Sequence, residues 1–113
     1  MFLLYKMNGF VYLIADTINE TYKIGKTKND VNKRLKQLQT GNSSELILID
    51  TFKTDYPYRL ESILHNKFRH KQIQNEWFAL DNNDVINFKK ICQETNDLIL
   101  LMKDNIFFAK NLK

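Results

Sequence analysis

Six polar side chains stand against apolar surroundings in this 113-residue sequence: Tyr12, Lys23, Lys26, Arg34, and Glu61 with His65 four positions on. One carboxylate, one arginine and a phenol or amine form a coherent set for cleaving phosphodiesters. The carboxylate anchors a hard cation such as Mg²⁺ or Mn²⁺, which keeps most of its waters and binds phosphate oxygens. Arg34 neutralises charge that develops on the phosphate. A phenol or an amine removes a proton from the attacking water, with Tyr12 as the phenol and candidate general base and Lys23 and Lys26 as the amines and supporting cations. A free phenol titrates near 10, so this role needs neighbouring positive charge, which Lys23 and Arg34 could supply.

Other chemistries lack their residues. The sequence has no P-loop, no dinucleotide glycine pattern, no zinc-ligand spacing and no Gly-x-Ser-x-Gly elbow. Two histidines and one cysteine disfavour a metal site made of several His or Cys ligands.

The elements that must position these groups follow from the hydrophobic pattern. Residues 10–15 form a near-continuous apolar run interrupted by Tyr12, which reads as a strand covered on both faces and therefore central. Residues 16–20 are turn-like. Residues 22–27 alternate, with Tyr22, Ile24 and Lys26 on one face and Lys23, Gly25 and Thr27 on the other. A helix over 31–39 follows a cap at Asn29-Asp30 and ends at Gly41-Asn42. On it Lys33 and Lys36 point away from the apolar stripe, while Arg34 lies roughly 40° from Leu38. Residues 45–53 form the third strand. A second helix over 58–70, introduced by Pro57, buries Leu60, Ile63, Leu64 and Phe68, with Glu61 roughly 20° from Phe68 around the axis. His65 is its neighbour at i+4. Residues 72–75 read as a polar loop and Glu76-Trp77-Phe78-Ala79-Leu80 as a short extended segment with a large apolar payload. Caps at 81–84 open a third helix with Val85, Phe88, Ile91, Cys92, Leu98, Ile99 and Met102 on its stripe.

The apolar share of 43% and the single proline predict one globular domain spanning residues 1–113. Its core covers about 9–90, and a helical extension covers about 91–113. A net charge of +4 suits an anionic partner. Lys26, Lys28, Lys33 and Lys36 fall together, as do Arg69 and Lys71, and these are the candidate nucleic-acid contacts. The lone Cys92 fits a cytoplasmic or other intracellular setting, and no apolar run is long enough to span a bilayer. Residues 98–108 either close the core or pair the domain with a second copy or another protein.

At the residues that carry the chemistry the chain resembles the GIY-YIG nuclease superfamily. The matching text is Val11-Tyr12-Leu13-Ile14, then Tyr22-Lys23-Ile24-Gly25-Lys26-Thr27, Arg34 on the next helix and Glu61 on the one after. Residues 35–41 and Glu76-Trp77-Phe78 resemble its compact phage, viral and bacterial branch. The resemblance implies an α/β (α+β) fold: a small three-stranded antiparallel sheet flanked by helices, in β-β-α-β-α order, here with an extra C-terminal helix. It also implies DNA cleavage with one divalent cation on Glu61, Arg34 as the helix arginine and Tyr12 as the first-motif tyrosine. Lys23 stands where the second motif has its tyrosine, so either Lys23 takes that role or a bulge restores Tyr22. The preferred register sets Tyr12 opposite Lys23, and the alternative sets it opposite Ile24. A non-cleaving nucleic-acid-binding module and a structural pairing domain are the other readings.

Overall fold

The computed structural model describes residues 7–103. The elements are β1 (Gly9–Asp16), β2 (Thr21–Thr27), α1 (Val31–Gln39), β3 (Leu46–Thr54) and α2 (Pro57–Lys67). A 3₁₀ turn (Arg69–Lys71) leads into β4 (Gln72–Gln74), β5 (Trp77–Phe78), α3 (Asn82–Ile86) and α4 (Phe88–Met102).

All strands join one antiparallel sheet in the order β3-β1-β2-β5-β4. The expected three-stranded sheet is therefore corrected to five strands, and the chain continues well past β-β-α-β-α. The two extra strands gave no periodic signal. Every residue of β4 is exposed, so the strand exists through backbone pairing with β5 and not through an apolar face. The other strand has only two residues. The single third helix is also corrected. It breaks at Asn87, whose side-chain amide donates to the Asn83 carbonyl at 2.9 Å, giving a short α3 and a separate α4.

β1 is central, as its apolar run requires, and Val11, Tyr12, Leu13 and Ile14 are all buried. Alternation along the strand divides them between two layers. Val11 and Leu13 join Ile24, Leu60, Leu64, Phe78, Phe88, Cys92 and Ile99 on the side covered by α2 and α4. Tyr12 and Ile14 join Val31 and Leu46 on the side covered by α1. Cys92 is a core side chain, its thiol pushed up to about 12, chiefly by burial. β3 carries a bulge at Ile49, where the pairing shifts between Leu13↔Asp50 and Ile14↔Leu48.

Local sequence sets the helix ends. The Asp30 side chain accepts from the Asn32 amide at 3.0 Å and caps α1. Gly41, at φ +79°, follows its C-cap in a conformation that glycine adopts without steric cost. Pro57 occupies the first turn of α2. Asp81 and Asp84 form a capping box on α3, and Lys71 pairs with both carboxylates.

The β1–β2 turn is fixed by buried Asp16. Its Oδ1 accepts from the Ile18 and Asn19 amides at 3.1 and 3.0 Å, and its Oδ2 from Asn19 Nδ2 at 2.8 Å. Burial alone would raise this carboxyl, but the bonds from Asn19, Ser44 and Ile18 outweigh it and the net shift is downward. A depressed carboxyl stabilises the fold above its unfolded titration range and loses that contribution as pH falls through its folded value. Asp16→Ala should cost about 1–3 kcal/mol near neutrality. The deficit relative to wild type should shrink in acid denaturation below about pH 4. A deficit that does not change with pH would refute this.

Ile99 closes the core, whereas Leu98, Leu100 and Leu101 are exposed. The remainder of the proposed pairing segment, 104–108, lies outside the described residues, as do positions 104–113 of the expected helical extension. Among the described residues no helix is long and apolar enough to cross a membrane.

Candidate active site

Tyr12 sits at the middle of β1 directly opposite Gly25. A methyl group at position 25 would overlap the phenol ring, so the ring lies across the bare backbone of Gly25. It carries the hydroxyl to Arg34 on α1, whose Nε donates to the Tyr12 oxygen at 3.5 Å. The pairing runs without interruption from Phe10↔Thr27 to Asp16↔Thr21. Neither register expected from the sequence is present: Tyr12 faces neither Lys23 nor Ile24, and β2 has no bulge. A turn of four or five residues left this choice open, and the Asp16 bonds settle it.

This register keeps Lys23 on the Tyr12 face, two positions from Gly25, and sends Tyr22 to the opposite one. Tyr22 packs against the core beneath α2 and α4 and does not reach the site. Lys23 is itself buried. Its ammonium lies 3.5 Å from Glu76 Oε2 and 5.6 Å from the centre of the Trp77 ring. Burial raises the Tyr12 phenol above its ordinary value, and the hydrogen bond and charge of Arg34 offset only part of that rise. The expectation that nearby cations lower this phenol is therefore not met. In the free protein Tyr12 keeps its proton at neutral pH.

Glu61 lies in the second turn of α2 and is only 8% exposed. Its Oε1 accepts from Lys26 Nζ at 3.0 Å, and that ammonium also stands 4.4 Å over the Tyr58 ring. Glu61 Oε2 is buried with no hydrogen-bond partner among the described residues. Burial raises this carboxyl, and Lys26 pulls it back only in part. One helical turn on, His65 Nε2 lies 2.8 Å from the Ile24 carbonyl. A carbonyl only accepts, so Nε2 carries the hydrogen and Nδ1 keeps its lone pair in the neutral ring.

Sequence reasoning missed Glu76. It sits in the β4–β5 turn after Asn75, which has φ +52°. Its carbonyl accepts from the Ile24 amide at 3.0 Å. One donor atom each from Glu61, His65 and Glu76 lie within 4.8 Å of one another. Glu61 was expected to be the sole carboxylate at a cation, and the fold places a second one beside it. In the sequence Glu76 stood out only as part of the Glu76-Trp77-Phe78 segment, and nothing local marked it as a ligand.

Tyr12, Lys26, Arg34, Glu61 and Glu76 line one open cleft of about 480 Å³, with Lys28 at its wall. Of the other basic candidates, Lys33, Lys36 and Arg69 are exposed. Lys71 is held by Asp81 and Asp84, so its charge is met within the fold. An unpartnered carboxylate oxygen beside a second carboxylate and an imidazole is a donor set that fits a divalent cation.

A model of the T5orf172 domain matches residues 9–93. Uncharacterized protein 460R of Invertebrate iridescent virus 6 is 30% identical over 102 residues, which are 86% of this chain and 45% of that protein. The chain thus spans less than half the length of this viral relative. No solved structure matches. The T5orf172 domain is nucleic-acid-related. The continuous match overturns the resemblance to the GIY-YIG superfamily, which rested on four short motifs in order, each of them unspecific. The chain belongs to the T5orf172 domain family.

Proposed function

We propose that this domain is a metal-dependent endonuclease that hydrolyses phosphodiester bonds in DNA. The observation that carries the reading is the buried Glu61 carboxylate, which lines the same cleft as Arg34 and Tyr12 and whose Oε2 has no hydrogen-bond partner among the described residues. A buried carboxylate oxygen without a partner is costly unless something binds it. Glu61 would hold one Mg²⁺ or Mn²⁺ ion, which when bound neutralises phosphate charge and acidifies water. Arg34 approaches from α1 to balance charge on the scissile phosphate. Tyr12, still protonated, offers a hydrogen bond from a fixed position and orients the attacking water or a phosphate oxygen. Lys26 keeps the Glu61 carboxylate aimed. Lys28, Lys33 and Lys36 supply unspecific phosphate contacts along α1 and its approach. Water adds to phosphorus and gives up a proton to solvent, the P–O ester bond breaks, and the departing alkoxide takes up a proton from solvent, so that one water is consumed for each bond cut.

Plasmid and short duplex DNA should be cleaved with Mg²⁺ or Mn²⁺ and left intact with chelator. Binding should also be salt-sensitive. With about four to six phosphates contacted, log affinity should fall against log salt with a slope on the order of −4 to −5. Salt-sensitive binding without cleavage under either ion would leave a non-cleaving nucleic-acid-binding module. A flat salt response would remove nucleic acid from the reading.

A further inference from the structure

We infer that the cleft holds its cation through three protein ligands, Glu61, His65 and Glu76, and that this donor set selects Mn²⁺ over Mg²⁺. The inference rests on the cleft being a metal-dependent site and adds two ligands and a metal class to it.

Three features support it. Glu61 and His65 stand one turn apart on α2, so their side chains leave the same helix face. His65 gives its Nε2 hydrogen to the Ile24 carbonyl, which fixes the ring and leaves Nδ1 as the donor. Imidazole ligands of metals are commonly oriented by such a bond on the other ring nitrogen. Glu76 arrives from the β4–β5 turn, tied to the same residue through the Ile24 amide. One backbone position therefore spaces the second and third ligands.

The lysines decide the metal class. Lys26 holds one oxygen of Glu61, and Lys23 lies beside one oxygen of Glu76. Each carboxylate keeps one oxygen for a metal, but its charge is already matched by an ammonium. Mg²⁺ binds through carboxylate charge and retained waters, and it gains little from such a site. An ion that also accepts imidazole nitrogen gains a further inner bond, and affinity for N and O donors rises from Mn²⁺ along the first transition row. Bonds of about 2.0–2.2 Å put adjacent donors on one ion roughly 3 Å apart. One ring nitrogen of His65 and one oxygen of each glutamate lie within 4.8 Å of one another, and rotation of the partly exposed Glu76 side chain brings its oxygen closer.

The test is Mn²⁺ titration of the full chain, followed by the electron paramagnetic resonance signal of the free ion. No DNA and no cleavage assay are needed. One Mn²⁺ should bind, and Mg²⁺ should displace it only at a tenfold or greater excess over an equal-affinity competitor. Glu76→Gln and His65→Asn should each weaken binding at least tenfold. Because His65→Asn also removes the Ile24 bond, wild-type protein supplies a second readout: substoichiometric Mn²⁺ should broaden the imidazole proton signals of His65 before those of His70. Equal competition by Mg²⁺ would overturn the metal class. Binding that survives both substitutions, or broadening no stronger at His65 than at His70, would overturn the three-ligand site. Mn²⁺ binding with this residue dependence but no DNA cleavage would defeat the nuclease reading and leave the metal site standing.

Discussion

Glu61→Ala should abolish metal-dependent DNA cleavage while the domain stays folded. A bound cation contributes several kcal/mol of charge stabilisation in phosphoryl chemistry. At 1.36 kcal/mol per tenfold, losing its anchor should cost on the order of 10³ in rate. The fold should tolerate the change, because the truncation also removes a buried carboxylate oxygen that has no partner among the described residues. Lys26, whose side chain is 28% exposed, then recovers water in place of its ion pair. The sign of the Glu61 shift sharpens the expectation. A carboxyl raised in the folded state means that the native protein binds the proton more tightly than the unfolded chain. Stability is then lost as pH rises through the unfolded value toward the folded one, so ionised Glu61 burdens the fold at neutrality. Glu61→Gln, neutral and nearly isosteric, should melt at or above the wild-type temperature and cleave no better than Glu61→Ala. Such a trade of stability against activity is typical of functional sites. Undiminished cleavage by Glu61→Ala would remove the residue from the mechanism. A Glu61→Gln protein that melts well below wild type would refute the electrostatic argument.

Gly25→Ala should be the most damaging single methyl group in the domain. The new Cβ would overlap the Tyr12 ring in the middle of the sheet, where both backbones are held by continuous pairing. Overpacking typically costs 1–3 kcal/mol, and here the obstacle is a buried ring lying over the backbone of β2, so a loss of about 3 kcal/mol is expected. The ring can yield only by leaving its place over β2, which takes the hydroxyl away from Arg34. Stability and cleavage should therefore fall together. Tyr12→Ala combined with Gly25→Ala should cost less than the sum of the two single changes, because the clash is then absent. Chemical denaturation of the four proteins measures this. A Gly25→Ala variant within about 0.5 kcal/mol of wild type would show that the ring does not lie where the geometry puts it.

The parts of the molecule that were legible in the sequence are those with a strong local signal. The apolar run through Tyr12 identified a central strand, and the Asp30 cap and Gly41 bounded α1. The i+4 pair placed Glu61 beside His65 on α2. Arg34, set near the apolar stripe, does reach the Tyr12 hydroxyl. The β1–β2 register was not legible. It depends on which backbone groups Asp16 collects, and a one-residue slip leaves composition unchanged. β4 escaped because an exposed edge strand needs no apolar alternation. Glu76 escaped because its place beside Glu61 and His65 comes from β5 joining the edge of β2, a contact between distant parts of the chain. The opposite error, naming a superfamily from Tyr12, Lys23-Ile24-Gly25, Arg34 and Glu61, arose because short motifs record chemistry more readily than descent.

The main chain of Ile24 gives its carbonyl to His65 and its amide to Glu76. These are peptide groups, and every residue type except proline has both. The spacing of the cleft is thus encoded at a position whose side chain takes no part in it. Evolution can exchange the buried Ile24 side chain for another apolar one at a cost in packing alone, and the arrangement of Glu61, His65 and Glu76 survives. Proline is the exception, since it would delete the donor and break the pairing at once. Position 24 is thus tied to the chemistry by its main chain, while its side chain answers to the core alone.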